Sequence, residues 1–337
     1  MTIADIANMA NVSSATVSRA INGKLGDRSK VKQRVIKVIK ETGFQPNVVG
    51  QSLSRQNSGF IGLIFPNTVT SILSQPYYTK TIESITFTCN QYDHNLVLFL
   101  CQSVADEEKL ATRVSRPGML DGLIVNVGCT NGYRLVPLVK EVKIPVVLAG
   151  RCDGLESFSY VDIDNVHAAY NAVQHLLDLG RKRVATITGP MKVSDGADRL
   201  EGYRRALMER GLSVNEDLII EGDYSERNGY YSAMRLIPKG IDGIFAANDE
   251  MAFGAMRAVQ EGGLSIPKDI AIVGFDDTGA SSKTIPPLTT VRQPLGTYGC
   301  KLVELLIDQI KNPDKGTRKI LLDTELVIRQ SCGEANW

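Results

Sequence analysis

The stretch TIADIANMANVSSATVSRAIN, residues 2–22, determines the fold of the amino-terminal part of the chain. In its first half, apolar residues recur at the spacing i, i+3, i+4 and i+7 and so share one face of a helix: Ile3, Ile6, Ala7 and Ala10. In its second half, four apolar residues can also pack inward: Val12, Val17, Ala20 and Ile21. The spacing predicts two short helices that bury their apolar faces against each other.

Capping and turn residues stand at the ends of both predicted helices. Thr2, with Asp5 three residues later, can cap the first helix, and Ser13 can cap the second. Asn11 lies where the chain must turn sharply, and asparagine tolerates a positive φ better than most residues do. These signals predict a helix-turn-helix.

The outward face of the second helix carries mostly short side chains: Ala15, Ser18, Arg19 and Asn22. Short side chains let the backbone of a helix lie deep in the major groove of DNA. An ordinary helical hairpin that covers part of an enzyme would show the same periodicity. The helix pair alone therefore does not decide between these two functions.

Positive charge is concentrated in the same part of the chain. Residues 1–60 contain 9 Lys and Arg residues and 3 Asp and Glu residues, a net charge of +6, whereas all 337 residues together carry +1. The rest of the chain is therefore acidic, with a net charge of −5. A basic head on an acidic body favours a nucleic-acid-binding module. A third helix in this head, expected to end at Gly43, has an apolar stripe: Val31, Val35, Val38 and Ile39.

Short motifs along nearly the whole chain resemble, in order and spacing, those of the lactose/galactose-repressor (LacI/GalR) family of bacterial transcription regulators. The amino-terminal motifs are TVSRAING (16–23), GFQPN (43–47) and VVGQSL (48–53). The later motifs are VDIDN (161–165), HLLDLGRKRVATITGP (175–190), DRLEGYRRAL (198–207), FAANDEMAFGAM (245–256), IPKDIAIVGFDD (266–277) and PPLTTVRQP (286–294). Each motif alone is weak, but together they identify the chain as similar to this family.

The resemblance implies a DNA-binding headpiece in residues 1–45 and a hinge helix with its linker in residues 46–58. The DNA contacts that it implies are Thr2, Ser13, Ser14, Ala15, Thr16, Ser18, Arg19, Asn22, Asn47 and Leu53. Arg19 is the expected guanine reader, because a guanidinium can donate to both acceptors of that base. In the family, a leucine at the position of Leu53 wedges into the minor groove, although Leu53 could instead only pack in a core. Gly50, where family members usually have alanine, should make the hinge helix form less readily.

From about residue 59 onward, apolar runs alternate with helical stretches, the pattern of doubly wound parallel sheets. The predicted strands are FIGLIF, NLVLFLC, DGLIVNV and PVVLAG in a first lobe, and RVATIT, LIIEGD, GIFAAN and IAIVGF in a second. The expected fold is a small all-α helix-turn-helix headpiece plus an α/β two-lobed periplasmic-binding-protein-like domain over residues 59–337. Lobe one is expected at about 59–160 and 291–319, and lobe two at about 161–290 and 320–330. In the family, TTVRQP and the terminal ILLDTELVI return to the first lobe and cross the hinge again.

The resemblance also implies a ligand in the cleft between the lobes, at the carboxyl ends of the strands. Matched position by position, it implies effector contacts by Tyr77, Tyr78, Arg199, Tyr224, Asn248 and Asp276. A guanidinium donates hydrogen bonds and a carboxylate accepts them, so together they suit the vicinal hydroxyls of a sugar. Other roles stay open: Asp249 could cap its helix, Tyr77 could belong to the core, and Arg199 could pair with Asp198 or Glu201.

Arg151 follows the strand PVVLAG, where the family commonly has an aspartate before the arginine and this chain has Gly150. The missing carboxylate removes one usual sugar contact. Arg151 could then face a more anionic effector such as a sugar phosphate, or it could lie at the surface. It is therefore a further candidate contact to the effector.

Several other classes of protein are not favoured. No G-x-G-x-x-G follows the first strand of the body, and no Walker loop or G-x-S-x-G elbow is present, so an enzyme is not expected. The 6 cysteines and 3 histidines lack metal-ligand spacing, so we expect no metal, no cofactor and reduced thiols. The chain has neither a long apolar span nor a secretory leader. We therefore expect a cytoplasmic protein rather than a membrane protein or a free-standing periplasmic binding protein.

Together these features predict a sequence-specific transcriptional regulator, in the first place a repressor. It would bind a pseudopalindromic operator as a homodimer, because the residues after Ile328 contain no heptad tail that could form a tetramer. A small polar effector, a sugar or sugar phosphate, would change its operator affinity allosterically. The alternative is a purine or other non-sugar metabolite that acts as corepressor.

Overall fold

The computed structural model describes residues 1–21, 25–26, 29–44, 58–65, 72–73, 75–100, 109–110, 112–127 and 132–333, with side chains outside 132–135. The chain divides into two compact units, Met1–Ser58 and Gly59–Trp337. The described helices of the first unit are α1 (Ile3–Met9), α2 (Ser14–Ile21) and α3 (Lys30–Thr42). Their shared core contains the residues that the apolar spacing predicts, among them Ile6, Ala7, Ala10, Val17, Ala20 and Val35.

The ends of these helices confirm the predicted caps. Thr2 and Asp5 form a capping box, in which the Thr2 amide donates to the Asp5 carboxylate at 2.6 Å and the Asp5 amide donates to Thr2 Oγ1 at 3.3 Å. The Ser13 hydroxyl accepts from the Thr16 amide at 3.2 Å at the start of α2. Asn11 has a φ of 51° in the turn, and Gly43, with a φ of 63°, ends α3.

The second unit contains two six-stranded sheets, one in each lobe. The strands of the first sheet are β1 (Phe60–Phe65), β2 (Asn95–Leu100), β3 (Gly122–Asn126), β4 (Val146–Ala149), β5 (Ser159–Ile163) and β11 (Lys319–Leu322). They lie in the order β11-β5-β4-β3-β1-β2, and every described pair is parallel. The order of the strands reverses at β1 and β3, which places a switch point between them.

The second sheet repeats this order. Its strands are β6 (Val184–Thr188), β7 (Ile219–Glu221), β8 (Gly243–Ala246), β9 (Ala271–Asp276), β10 (Thr289–Arg292) and β12 (Glu325–Val327). They lie in the order β12-β10-β9-β8-β6-β7, with a switch point between β6 and β8. Only the pair β10 and β12 is antiparallel among the described pairs of this sheet. The predicted doubly wound, two-lobed α/β fold is confirmed.

Helices cover both faces of the second sheet and pack against the first. They are α4 (Pro76–Gln91), α5 (Gly132–Glu141), α6 (Asn165–Asp178), α7 (Ser194–Glu209), α8 (Glu226–Leu236), α9 (Asp249–Glu261) and α10 (Leu295–Lys311). The helices α4 and α10 pack together on one face of the first sheet. In the second lobe, α6 and α7 share one core and α8 and α9 share the other. Strands buried on both faces explain the nearly continuous apolar runs in the sequence.

The chain crosses between the lobes at slightly different places from those expected. The strand β5 belongs to the first sheet through Ile163, beyond the expected boundary near Val161, and β11 belongs to it through Leu322. The segment TTVRQP was expected to return to the first lobe, and this is wrong for its strand, because β10 pairs with β9 and β12 in the second sheet. An apolar run suits either of two doubly covered sheets, so the pattern alone does not assign it to one.

Within the described part of the chain, no helix is long and apolar enough to cross a membrane. The same residues contain no group of three His, Cys, Asp or Glu side chains that could hold a metal ion. Four cysteines in this part carry free thiols: Cys89, Cys152, Cys300 and Cys332. Burial raises the pKa of the Cys89 thiol to about 12 and also raises the pKa of Cys332, so these two thiols are packing groups rather than nucleophiles.

Candidate functional site

The outward face of α2 is the first candidate site. Ser13, Ser14, Ala15 and Arg19 are exposed, Thr16 and Ser18 are half-buried, and Thr2 is exposed in its capping box. The opposite face buries Val17 and Ala20 in the headpiece core. The predicted DNA contacts Asn22, Asn47 and Leu53 lie outside the described residues, as does Gly50. The described headpiece therefore presents Arg19 with small polar neighbours on one accessible helix face.

Arg34, which the sequence analysis counts only for its positive charge, forms a hydrogen bond within the headpiece. Arg34 Nη2 on α3 donates to the backbone oxygen of Asn11 at 3.3 Å. This bond ties α3 to the tight turn that orients α2. Arg34 thus helps to position the helix that carries Arg19.

The second candidate site is a cleft between the two lobes. Its wall consists of Gln75, Tyr77, Tyr78, Asp195, Arg199, Tyr224, Asn248, Asp276 and Gln293. The three residues from the first lobe follow β1, and those from the second lobe follow or end β6, β7, β8, β9 and β10. Since the strands within each sheet are mostly parallel, their carboxyl ends meet at the same edge. Residues more than 200 positions apart in the chain thereby meet in one cleft.

Arg199 lies at the centre of this wall and is 5% exposed. Its Nε donates to Asn165 Oδ1 at 2.9 Å, and its Nη1 donates to the backbone oxygen of Ala247. The guanidinium lies 3.7 Å above the centre of the Phe275 ring. Its Nη2 is 4.0 Å from Asp195 Oδ2. The acidic neighbour of Arg199 is therefore Asp195, rather than the Asp198 or Glu201 that the sequence suggests. Arg199 is thus held rigidly, with one nitrogen directed toward Asp195.

Asp276 ends β9 and is buried in the same wall. Its backbone has a φ of 118°, in a region that residues with a side chain rarely adopt. Gln293 Nε2 donates to its carboxylate at 2.6 Å. Burial raises the pKa of Asp276, while the nearby Arg199 charge opposes this rise. Strained backbone and a buried carboxyl together are typical of a functional site.

The structure shows which of the neighbours Asn248 and Asp249 caps the helix α9, a question that the sequence motif leaves open. Asn248, not Asp249, caps α9, because its Oδ1 accepts from the Met251 amide at 3.0 Å. Asn248 Nδ2 donates to the backbone oxygen of Tyr224 at 3.0 Å. Asn248 therefore lines the cleft and also positions Tyr224.

The aromatic residues of the cleft are partly core residues. Tyr78 is 6% exposed and packs edge-on against Phe65, with ring centres 5.4 Å apart, and Tyr77 also packs against this core. Tyr224 has a φ of 65°, and its ring lies so close to Gly189 that a Cβ at residue 189 would collide with it. The buried Tyr224 hydroxyl lies next to the Asp195 carboxyl, and burial together with this carboxyl raises the pKa of the tyrosine. Tyr224 thus brings a hydroxyl to the wall beside Asp195.

Arg151 does not line the cleft. Its Nη2 is paired with Asp198 on α7, and its Nε is 3.7 Å from Asp162 on β5. The Ser194 hydroxyl, at the start of α7, donates to the backbone oxygen of Arg151 at 2.8 Å. Arg151 is a residue of the first lobe, whereas Ser194 and Asp198 belong to the second. This cluster is therefore a contact that links the two lobes.

The cleft encloses a cavity of only about 40 Å³. Pockets for drug-sized ligands usually enclose about 300–1,000 Å³. A sugar-sized ligand therefore requires the lobes to separate or the wall to rearrange. The Arg151 contacts link the two lobes and would have to adjust in such a movement.

Sequence reasoning brought six of these wall residues together and missed Gln75, Asp195 and Gln293. Gln75 directly precedes the Pro-Tyr-Tyr motif, and this position could have indicated that it lines the cleft. Asp195 and Gln293 stand in loops or first turns whose direction depends on the packing of the helices that follow them. For Asp195, the only signal was its position four residues before Arg199 on the same helix face.

The Asp162 carboxyl next to Arg151 leads to a pH prediction. Burial raises its pKa from 3.8 to about 7. Between these two pH values, the carboxyl therefore keeps its proton in the folded state and loses it in the unfolded chain. The stability that this proton confers is present below about pH 4 and is lost as the pH rises through 7. We expect the thermal midpoint to fall from pH 5.5 to pH 8 more steeply in the parent than in Asp162→Asn. Equal slopes would contradict this, and Glu201→Gln, a change at an exposed site, should keep the slope of the parent.

Two family models match the chain. The model described as bacterial regulatory proteins, lacI family, matches residues 2–47, and the periplasmic binding protein-like domain matches residues 173–332. The HTH-type transcriptional regulator CelR of Thermobifida fusca is 30% identical over 334 residues, which cover 98% of each protein. The chain belongs to the LacI family. This LacI-family member is thus a DNA-binding transcription regulator, and the family, the fold and the prediction that it is not an enzyme are confirmed.

Other members of the LacI family match over the same length. The HTH-type transcriptional repressor PurR of Histophilus somni (strain 129Pt) is 31% identical over 334 residues, 98% of each protein. The crystal structure of the Lac repressor dimer bound to operator and the anti-inducer ONPF has a TM-score of 0.87 at 26% identity, with 99% of both chains covered. A transcriptional regulator CelR–cellobiose complex has a TM-score of 0.78 at 30% identity, covering 98% of this chain and 99% of the other.

Proposed function

We propose that this LacI-family regulator represses transcription from a pseudopalindromic operator and that a small polar ligand in the interlobe cleft controls its operator affinity. The observation that carries this proposal is the cleft wall, in which a buried arginine, one buried and one half-buried carboxyl, and aromatic rings converge from the two lobes. Such a set of donors, acceptors and apolar faces recognises a polar ligand. The protein is expected to act as a homodimer, as the Lac repressor does in its structure on operator.

A sugar or sugar derivative fits the cleft chemistry best. Arg199 donates, Asp276 and Asp195 accept, and the Tyr77 and Tyr78 rings offer apolar faces, a combination that suits a ring with vicinal hydroxyls. The cellobiose complex of CelR supports this class of ligand. A purine remains the second candidate, because repressors named PurR match the chain with similar identity. Aromatic rings and an aspartate could also hold a purine.

The proposed coupling acts through the closure of the lobes. The contacts of Arg151 with Ser194 and Asp198 link the two lobes. A ligand that enters changes the angle between the lobes and thereby the placement of the headpieces on the operator. A coupling free energy of about 1–3 kcal/mol suffices for a 5- to 150-fold change in operator affinity.

The experiment that tests this function is a titration of the full-length protein against a duplex operator, with and without each member of a ligand panel. The operator would first be selected from a random duplex library with the purified protein. Sugars, sugar phosphates and purines form the panel, and thermal shift reports binding independently. The function is contradicted if a ligand that stabilises the protein through the cleft leaves operator affinity unchanged. Deletion of residues 1–58 should remove DNA binding and keep the thermal shift.

Arg19 leads to a prediction for DNA recognition. It is exposed on the outward face of α2, where a bidentate contact with guanine contributes about 1–3 kcal/mol of discrimination. Arg19→Ala should therefore weaken binding to the selected operator by about 10- to 100-fold and relax specificity at one base pair. Competition binding against operators substituted at each position measures this. A uniform loss across all sequences would instead assign Arg19 to a phosphate.

A further inference from the structure

The cleft wall contains more acid than base. Among its lining residues, the side chains that can carry charge are Asp195, Asp276 and Arg199, two carboxyls and one guanidinium. Other cations lie outside this wall: Arg151 is paired with Asp198 and Asp162, and Lys80 and Arg292 line a neighbouring cavity, where Arg292 is paired with Asp277. An anionic group in this cleft would therefore meet two carboxyls and a single cation.

Part of the hydrogen-bonding capacity of Arg199 is already used by the protein. Its Nε donates to Asn165, its Nη1 donates to Ala247, and its Nη2 is directed toward Asp195. Strong binding of phosphate or carboxylate by arginine uses two parallel N–H groups. In this cleft, one nitrogen at each edge of the guanidinium already donates to the protein, and the nitrogen shared by the two edges, Nη2, lies 4.0 Å from Asp195.

The helix α7 would be a natural place for an anion, since backbone N–H groups at the start of a helix attract negative charge. Asp195 stands in its first turn and fills that place. Its Oδ1 accepts from the Gly196 amide at 3.0 Å, and its Oδ2 faces Arg199. The protein thus supplies its own carboxylate at the position where the phosphate or carboxylate of a ligand would bind.

We propose that Asp195 is a specificity-determining residue that makes the cleft accept neutral polyhydroxylated ligands and reject phosphorylated or carboxylated ones. The inference rests on the proposed function and deepens it, because it names the charge class of the effector. Neutral hydroxyls can donate to Asp195 and Asp276. A phosphate would have to approach the Asp195 carboxyl, which already lies beside Arg199 and at the first turn of α7.

The direct test uses inorganic phosphate as a probe and does not require the effector to be known. In the full-length protein, Asp195→Asn removes the built-in carboxylate with almost no change in shape. Titration with phosphate at constant ionic strength should raise the thermal midpoint of Asp195→Asn and leave the parent unchanged. Glu201→Gln removes an exposed carboxylate from the same helix and should behave as the parent does. Equal responses of the parent and Asp195→Asn to phosphate, including no response of either, would overturn the proposal.

A second arm uses the panel and separates this proposal from the proposed function. Each hexose or disaccharide is compared with its phosphate and its uronic acid, by thermal shift and by operator titration. In the parent, the phosphorylated or oxidised form of any sugar that binds should bind at least 10-fold more weakly than the neutral form. Asp195→Asn should reduce this ratio at least 5-fold. An anionic sugar that binds the parent as tightly as its neutral form, and changes operator affinity, would overturn the role of Asp195 and leave the regulatory function standing.

Discussion

Arg199→Ala is expected to weaken effector binding by about 30- to 5,000-fold while the protein keeps its affinity for the operator without ligand. The guanidinium is the only cationic group among the lining residues and lies between carboxyls. Truncation of one partner in a buried, hydrogen-bonded charge cluster costs about 2–5 kcal/mol, which corresponds to a loss of about 30- to 5,000-fold in affinity. Titration of the panel ligand, with thermal shift and operator release as readouts, measures the loss.

Arg199 also supports the fold through Asn165, Ala247 and the Phe275 ring, so controls must separate the two roles. Arg199→Lys keeps the charge and much of the packing but cannot reproduce the planar fork. It should retain a cooperative thermal transition and still lose most of the effector response. Arg204→Ala removes a half-buried arginine of the same helix that pairs with Glu216, and it should change neither property. A normal effector response in Arg199→Lys and Arg199→Ala would place the site elsewhere.

Asp249→Ala is expected to reduce the free energy of unfolding of the second unit by about 3–5 kcal/mol, because it removes the shared acceptor of three buried hydrogen bonds. Asp249 is fully buried at the start of α9. Its carboxylate accepts from the Thr278 amide at 2.9 Å, from the Ser281 hydroxyl and from the Thr290 hydroxyl at 2.6 Å. These bonds join α9 to the segment after β9 and to β10. Loss of the carboxylate leaves three buried donors without an acceptor.

Thermal unfolding of the full chain measures this loss as a lower midpoint. Asp249→Asn keeps the shape and one acceptor oxygen, and it should cost less than Asp249→Ala. Glu261→Ala, at the other end of α9, removes an exposed ion pair with Arg257, which is worth at most about 1 kcal/mol. If Asp249→Ala costs no more than Glu261→Ala, the network does not stabilise the fold.

The headpiece could be predicted from the sequence almost residue by residue, because its structure depends on local signals. The capping box of Thr2 and Asp5, the positive φ of Asn11 and the left-handed Gly43 are each determined by a few neighbouring residues. The strands of the two lobes were also predictable as apolar runs. The sheet to which β5, β10 and β11 belong was less predictable, because it depends on where the chain crosses between two similar cores.

The cleft was predictable only where a motif carried it. Arg199, Asn248 and Asp276 stand in motifs that resemble the family, whereas Asp195 stands outside them. Gln293 belongs to PPLTTVRQP, but that motif alone did not indicate a role in the cleft. The two roles of Asn248, as helix cap and as wall residue, cannot be separated by sequence because both need an amide at the same position. The partner of Arg151 is Asp198, 47 residues later, and only the packing of α7 against the first lobe brings them together.

The central claim is that a ligand bound in the interlobe cleft changes the affinity of the headpiece for its operator. The most direct measurement is the fluorescence anisotropy of a labelled operator duplex, titrated with the full-length protein at fixed salt. The titration is done with and without a ligand that raises the thermal midpoint of the parent but not of Arg199→Lys. We expect the apparent Kd to change by at least 5-fold in the parent and to stay constant in Arg199→Lys. Superimposable isotherms for the parent, with the ligand demonstrably bound, would contradict the account.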